Sequence, residues 1–301
     1  MSSGLGFALL LVLAPLLPAV AAKTVAVLTG RRGAGLLQPY RDLRRLLGKG
    51  VVYGAVTTWI FRAAPVLWLL SAIGAAALVP PAGHAALVRF PGDPFLFTGL
   101  LALGRFALTL GALDTGSSFE GMGASRELQI GSFAEPALFV ALFTLALATR
   151  GSSMSELFGA PVGAAWLTVG ASLAMVTLSL GMLLLAEAAR GPIDDPTTHL
   201  ELTMIHEVMA LDHSGPDLAL ILYGSAVRFA LFGALLVDLA WPAGGLSDLA
   251  ATARLGLGLV AVAVLVGIVE SSMARLRLLR IPQYLVSAGI LASLGALLLL
   301  R

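Results

Sequence analysis

The chain has 301 residues, of which 58% are hydrophobic and only 12% charged, with a formal net charge of +2 and no cysteine. A soluble domain with about a quarter of its residues charged could coat its surface with polar groups, and this chain cannot, so lipid must cover most of it. The missing thiols exclude a disulfide framework, iron-sulfur ligation and thiol redox chemistry within the chain, and so small a positive charge does not imply nucleic-acid binding.

A helix needs about 20 apolar residues to cross a bilayer, and on that ruler eight segments qualify, at roughly 5–28, 57–79, 95–113, 129–149, 162–187, 218–239, 253–273 and 283–300. The sequence therefore predicts an all-α polytopic membrane protein, one transmembrane domain over 1–301. The first segment, "LLLVLAPLLPAVAAK", also has the look of a cleaved signal peptide. It lacks a basic start and is followed by seven positive charges, so a retained span is expected.

The stretch 29–50 follows, and around it stand Lys23, Arg31, Arg32, Arg41, Arg44, Arg45 and Lys49. Its spacing predicts an amphipathic helix from about Pro39 to Leu47, with Leu43, Leu46 and Leu47 on one side and the arginines on the other. Such a helix lies on anionic lipid or docks onto a partner protein. Arg126 falls in the third loop, Arg190 in the fifth, and Arg275, Arg277 and Arg280 in the seventh. The odd loops therefore face the cytoplasm and both termini the outer, periplasmic side.

The fifth loop, 188–217, is the oddest passage. Together with Glu187 it holds seven carboxylates against Arg190 alone, and three of the four histidines. Asp194-Asp195-Pro196 has the form of a capped helix start, so a solvated loop helix is one reading. The other is a hydrated acidic funnel leading protons into the membrane. Ionisable residues within or at the edges of spans favour the second: Arg62, Arg105, Glu135, Glu187, Arg228, Asp238 and Glu270. Each costs about 2.5–3.5 kcal/mol at membrane depth, so such groups pair or line a water path. Arg62 and Asp238 best suit an edge position with snorkelling.

Other chemistries fit poorly. "HEVMA" at His206 begins like a zinc helix but has Ala210 where the second ligand belongs, leaving His199, His206 and His213 as a conceivable structural zinc set. No Walker loop, dinucleotide fingerprint or nucleophile elbow is present. The tetrapeptide "RFAL" occurs at Arg105 and again at Arg228, in spans of opposite direction, without a convincing repeat around it.

Four stretches resemble subunit 1 of respiratory complex I and its relatives in membrane-bound energy-converting nickel-iron hydrogenases and formate hydrogenlyase. They are "GRRGAGLLQPYRDLRRLLGK" from Gly30, "GMGASRELQIGSFAEP" from Gly121, "EAARGPIDDPTTHLEL" from Glu187 and "ESSMARLRLLR" from Glu270. The resemblance implies a heel subunit without a cofactor of its own, lodged in a bacterial or archaeal plasma membrane. It would anchor a hydrogenase large subunit and an iron-sulfur subunit, which carry the nickel-iron site and the clusters, and join them to antiporter-like membrane subunits.

It also implies an ion path through Glu135, Glu187, Asp194, Glu201 and, by continuity with the loop, Glu207. Arg126, Arg190, Arg275 and Arg277 would dock the soluble arm or balance charge. Ala188-Ala189 replace Thr-Asn, Ile193 replaces Phe and Ala274 replaces Pro of complex I members, while "SFAEP" and "ESSMARLR" resemble the hydrogenase branch. The alternatives are a quinone-chamber subunit of complex I and a purely structural tether.

Overall fold

A computed structural model describes residues 2–159, 161–188, 193, 205–273 and 276–300. Among the described residues it is all-helical, with no strand. The first apolar segment forms α1 (Ser2–Leu13) and α2 (Leu16–Leu28), bent by 46° at Ala14-Pro15. Proline cannot donate to the helix ladder and its ring displaces the preceding carbonyl, which accounts for the bend. Among the described residues, seven further helices are each long and apolar enough to cross a membrane, and α1 with α2 makes an eighth if the pair is one span.

After α3 (Gln38–Leu47) these spans are α4 (Trp59–Leu78), α5 (Asp93–Asp114), α6 (Ser118–Thr149), α8 (Pro161–Glu187), α10 (Gly215–Ala240), α11 (Asp248–Ser272) and α12 (Ile281–Leu299). Two single-turn helices, α7 (Met154–Leu157) and α9 (His206–Met209), sit between spans. The amphipathic helix stands where the leucine and arginine spacing put it. None of its residues is buried, Pro39 lies in its first turn, and Arg44 and Arg45 sit in the last turn, where cations complement the helix dipole.

The third loop departs from expectation. Helix α6 starts at Ser118 rather than near 129, so Arg126 lies on a helix of 32 residues. At 1.5 Å per residue that helix runs about 48 Å, well beyond a hydrocarbon layer of about 30 Å. Gly123 there packs rather than breaks: a Cβ on it would lie 3.0 Å from Val208 and 3.1 Å from the Ile205 carbonyl. The extension thus reaches up beside α9 and brings a second acidic residue, Glu127, onto the span that carries Glu135.

Helix α10 is the axis of the bundle, packed on α4, α8 and α11, while α4 pairs with α5 and α12 lies against α6 and α8. Carboxylates at the two ends of α5 accept backbone N–H groups from other segments. Asp114 accepts from Thr58, at the start of α4, at 2.6 Å, and Asp93 accepts from Met154, at the start of α7, at 2.6 Å. Between apolar helices in lipid there is little hydrophobic driving force, so close contact between small residues must hold them. At Gly267 of α11 a Cβ would meet the Ala21 carbonyl of α2 at 2.6 Å.

Gly267→Ala is therefore expected to destabilise the bundle by about 1–3 kcal/mol. Gly99→Ala, in α5 where nothing lies within 4 Å of the added carbon, is expected to be neutral or stabilising. Thermal unfolding of the two variants in one detergent checks this, and equal shifts would remove the close approach as the cause.

Candidate functional site

Three helices meet at one guanidinium. Arg105, near the middle of α5, is buried, and its three nitrogens each face a different carboxylate. Nε donates to Glu127 at 2.9 Å, Nη1 to Glu135 at 2.5 Å, and Nη2 to Glu187. Glu127 and Glu135 are two helical turns apart on α6 and so share a face, while Glu187 is the last residue of α8. A planar fork with five donors spread over three nitrogens suits three separated acids, whereas a lysine ammonium would have to draw all three to one nitrogen.

Arg228 of α10 extends the cluster from the other side. Its Nη1 lies 3.3 Å from the second oxygen of Glu187, and its Nη2 donates to the Leu101 carbonyl at 2.7 Å. The guanidinium rests 3.8 Å above the Trp68 ring, whose indole N–H donates to the Ile221 carbonyl at 3.1 Å. The side chain of Arg228 is wholly buried. Such a charge is tolerated because the carboxylate, the carbonyl and the ring quadrupole replace its hydration.

Glycines make the room. A Cβ at Gly104 would fall 2.4 Å from Arg228 Nη2, and one at Gly131 would fall 2.9 Å from Arg105 Cδ. On the α9 side, His206 Nε2 stands 3.5 Å from the free edge of Glu127. Nearby, Glu120 is buried and accepts the backbone N–H of Asp212 at 2.9 Å, which fastens the start of α6 to the turn after α9.

Of the expected path residues, Glu135 and Glu187 meet at Arg105, and Glu207 is exposed on α9. Asp194, Glu201, Arg190 and Arg275 lie outside the described residues. Arg126 is half-buried on α6, and Arg277 is exposed just before the 3-10 turn Leu278–Arg280. Glu127 is a site residue that the sequence reading passed over, because "SREL" looked like loop. Its spacing of eight from Glu135 is the signal that was there. The two "RFAL" copies acquire a meaning too, since the arginine of each binds Glu187.

Asp238 does not snorkel at an edge. It is buried and paired with Arg254 of α11, which also donates to the Trp241 carbonyl, because two packed helices supply partners that hydropathy alone cannot foresee. Arg62 remains exposed, with its guanidinium 4.5 Å from the Tyr53 ring. Of the conceivable zinc set, His199 lies outside the described residues; among the described ones no group of three histidine or acidic side chains could hold a metal. His213 instead stacks on Phe61 with centroids 3.9 Å apart, and burial pushes its pKa down to about 4.

A family model described as NADH dehydrogenase matches residues 3–301. Hydrogenase-4 component C of Escherichia coli (strain K12) is 31% identical over 279 residues, 91% of this chain and 87% of that protein. Formate hydrogenlyase subunit 4 of the same organism is 29% identical, over 89% and 88%. One subunit of the NADH-quinone oxidoreductase of Burkholderia vietnamiensis (strain G4 / LMG 22486) is 27% identical, over 68% of this chain and 60% of that protein. A chain in the solved structure of the membrane-bound sulfane sulfur reductase, an archaeal respiratory membrane complex, matches with a TM-score of 0.82 at 20% identity, covering 99% of this chain and all of that one. At that identity the likeness is one of fold.

Two outcomes follow from the geometry. Glu187→Ala leaves two buried guanidiniums short of a counter-charge and is expected to cost about 3–5 kcal/mol in thermal unfolding, against less than about 1 kcal/mol for Glu207→Ala at the surface. For His213 the folded pKa lies below its ordinary 6.5, so its contribution is complete above pH 6.5 and is lost as pH falls toward 4. The stability difference between wild type and His213→Phe should therefore move by about 2 kcal/mol between neutral pH and about pH 5, the wild type losing ground. A pH-independent difference would contradict the burial of a neutral imidazole.

Proposed function

The chain belongs to the NADH dehydrogenase subunit 1 family, and from that membership we propose that it is the membrane anchor and proton-conducting heel of an energy-converting hydrogenase or formate hydrogenlyase-like complex in the plasma membrane. The hydrogenase-4 and formate hydrogenlyase relatives align over about nine-tenths of the chain, the NADH-quinone oxidoreductase relative over about two-thirds, which supports the hydrogenase branch. The chain offers no thiolate for a nickel-iron site or an iron-sulfur cluster, so a hydrogenase large subunit and an iron-sulfur subunit would carry them.

The observation that carries the proposal is the exposure of Glu135. Its side chain is 39% accessible on the flank of an apolar span, while Glu127 and Glu187, joined to it through Arg105, are buried. A carboxylate facing hydrocarbon is costly, so water or a neighbouring membrane subunit belongs on that flank. Three carboxylates face two guanidiniums, and a mobile proton is the smallest species that can adjust that balance.

The acidic side of the bundle, with Glu120, Glu127 and His206, would take protons from the redox arm. Glu187 and Arg105 would relay the change in field to Glu135, and Glu135 would pass it to an antiporter-like subunit. A straight exit is disfavoured: on α10 the residues from Phe229 to Leu235 are apolar and buried, which sets about 15 Å of dry packing between Arg228 and Asp238.

The rival reading is a tether, favoured by the number of ion pairs at Arg105 and Arg228, which would staple α5, α6, α8 and α10 without moving anything. Glu135→Gln and Glu127→Gln in the assembled complex distinguish the two. The conducting role requires hydrogen-linked proton translocation into membrane vesicles to fall at least about tenfold while the subunits still copurify. Undiminished translocation in both variants leaves the tether.

A further inference from the structure

We infer that the crevice between α2 and α3 binds an anionic phospholipid. The crevice encloses about 180 Å³ and is walled by Pro18, Ala19 and Ala22 of α2, by Gly35 and Pro39 on the facing segment, and by Lys23 at its rim. The small side chains leave a furrow along the outward side of a membrane-crossing helix, which suits an acyl chain. Lys23 Nζ donates to the Arg32 carbonyl, so the basic loop folds over the mouth of that furrow. Tyr40 Oη donates to the Val12 carbonyl and fixes the foot of α3 at the bend between α1 and α2.

Charge chooses the occupant. From Lys23 to Lys49 there are seven cations against Asp42 alone, a net charge of +6. Asp42 is held by Gln38 at 3.0 Å and Arg45 at 3.2 Å, so it presents no open acid to the crevice. Several Lys and Arg residues beside a membrane helix attract anionic headgroups, and each contributes separately. Beside them Leu36, Leu37 and Leu47 are exposed and α3 buries nothing, which is the two-faced character of a helix seated in the headgroup layer. An acyl furrow with Lys23 at its rim, inside a segment of net charge +6, matches a phosphate diester with a tail, and this holds whatever complex the chain joins.

The test uses the chain extracted in mild detergent with its accompanying subunits, stripped of lipid and offered phosphatidylglycerol, phosphatidylcholine or inorganic phosphate. Native mass spectrometry reads retained lipid and thermal unfolding reads protection. Phosphatidylglycerol should be retained and protective over both other probes. Lys23→Gln with Arg32→Gln should weaken retention on the order of tenfold or more. Ala22→Trp, which fills the furrow from an exposed position and keeps every charge, should also lose the lipid. Equal retention of the neutral lipid, protection by phosphate alone, or unchanged lipid in both variants would overturn the proposal. So would release of a partner subunit with lipid content unchanged, which would give the surface to a protein.

Discussion

A buried arginine needs its charge met inside the protein, and Arg105 meets that demand with acids from three directions. Each of its nitrogens is committed to a different carboxylate, two from α6 and one from the end of α8. The arrangement fixes the rotation of α6, the depth at which α8 ends and the approach of α10 through Arg228. Removing one acid disturbs the rest, because in a low dielectric the remaining charges respond strongly. The same coupling that makes the cluster a staple lets a change at Glu127 be felt at Glu135.

The rest of the bundle accommodates this point. Helix α6 is long enough to carry one acid beside α9 and another on the flank of the membrane span, and Gly104 and Gly131 clear the space that two guanidiniums fill. Trp68 closes Arg228 from above and is itself held by the Ile221 carbonyl. Below Arg228 the packing is apolar until the separate Asp238–Arg254 pair, which joins α10 to α11 and touches none of the central acids. Among the described residues, the buried arginine–carboxylate pairs thus fall into one cluster and one distant pair.

Much of this was legible in the sequence. Hydropathy gave the spans and the leucine-arginine spacing gave α3, since both depend on local periodicity. The cost of charge in lipid marked Arg105, Glu135, Glu187 and Arg228 as functional, but pairing them was beyond reach, because their partners come from helices far apart in the chain. Glu127 was hidden by an apparent loop in which Gly121 and Gly123 are helical and Gly123 packs against α9. Asp238 was read as an edge residue because a sequence window cannot distinguish burial against protein from contact with headgroups. The heart of the acidic loop, with Asp194 and Glu201, lies outside the described residues, so their place in the path rests on the sequence resemblance.

The direct measurement is a double-mutant cycle on Glu135 and Glu187, read by unfolding in one detergent. If Arg105 joins them into one electrostatic unit, the effects of Glu135→Gln and Glu187→Gln will depart from additivity by at least about 1 kcal/mol. Additivity within about 0.5 kcal/mol would show two independent ion pairs and contradict the account.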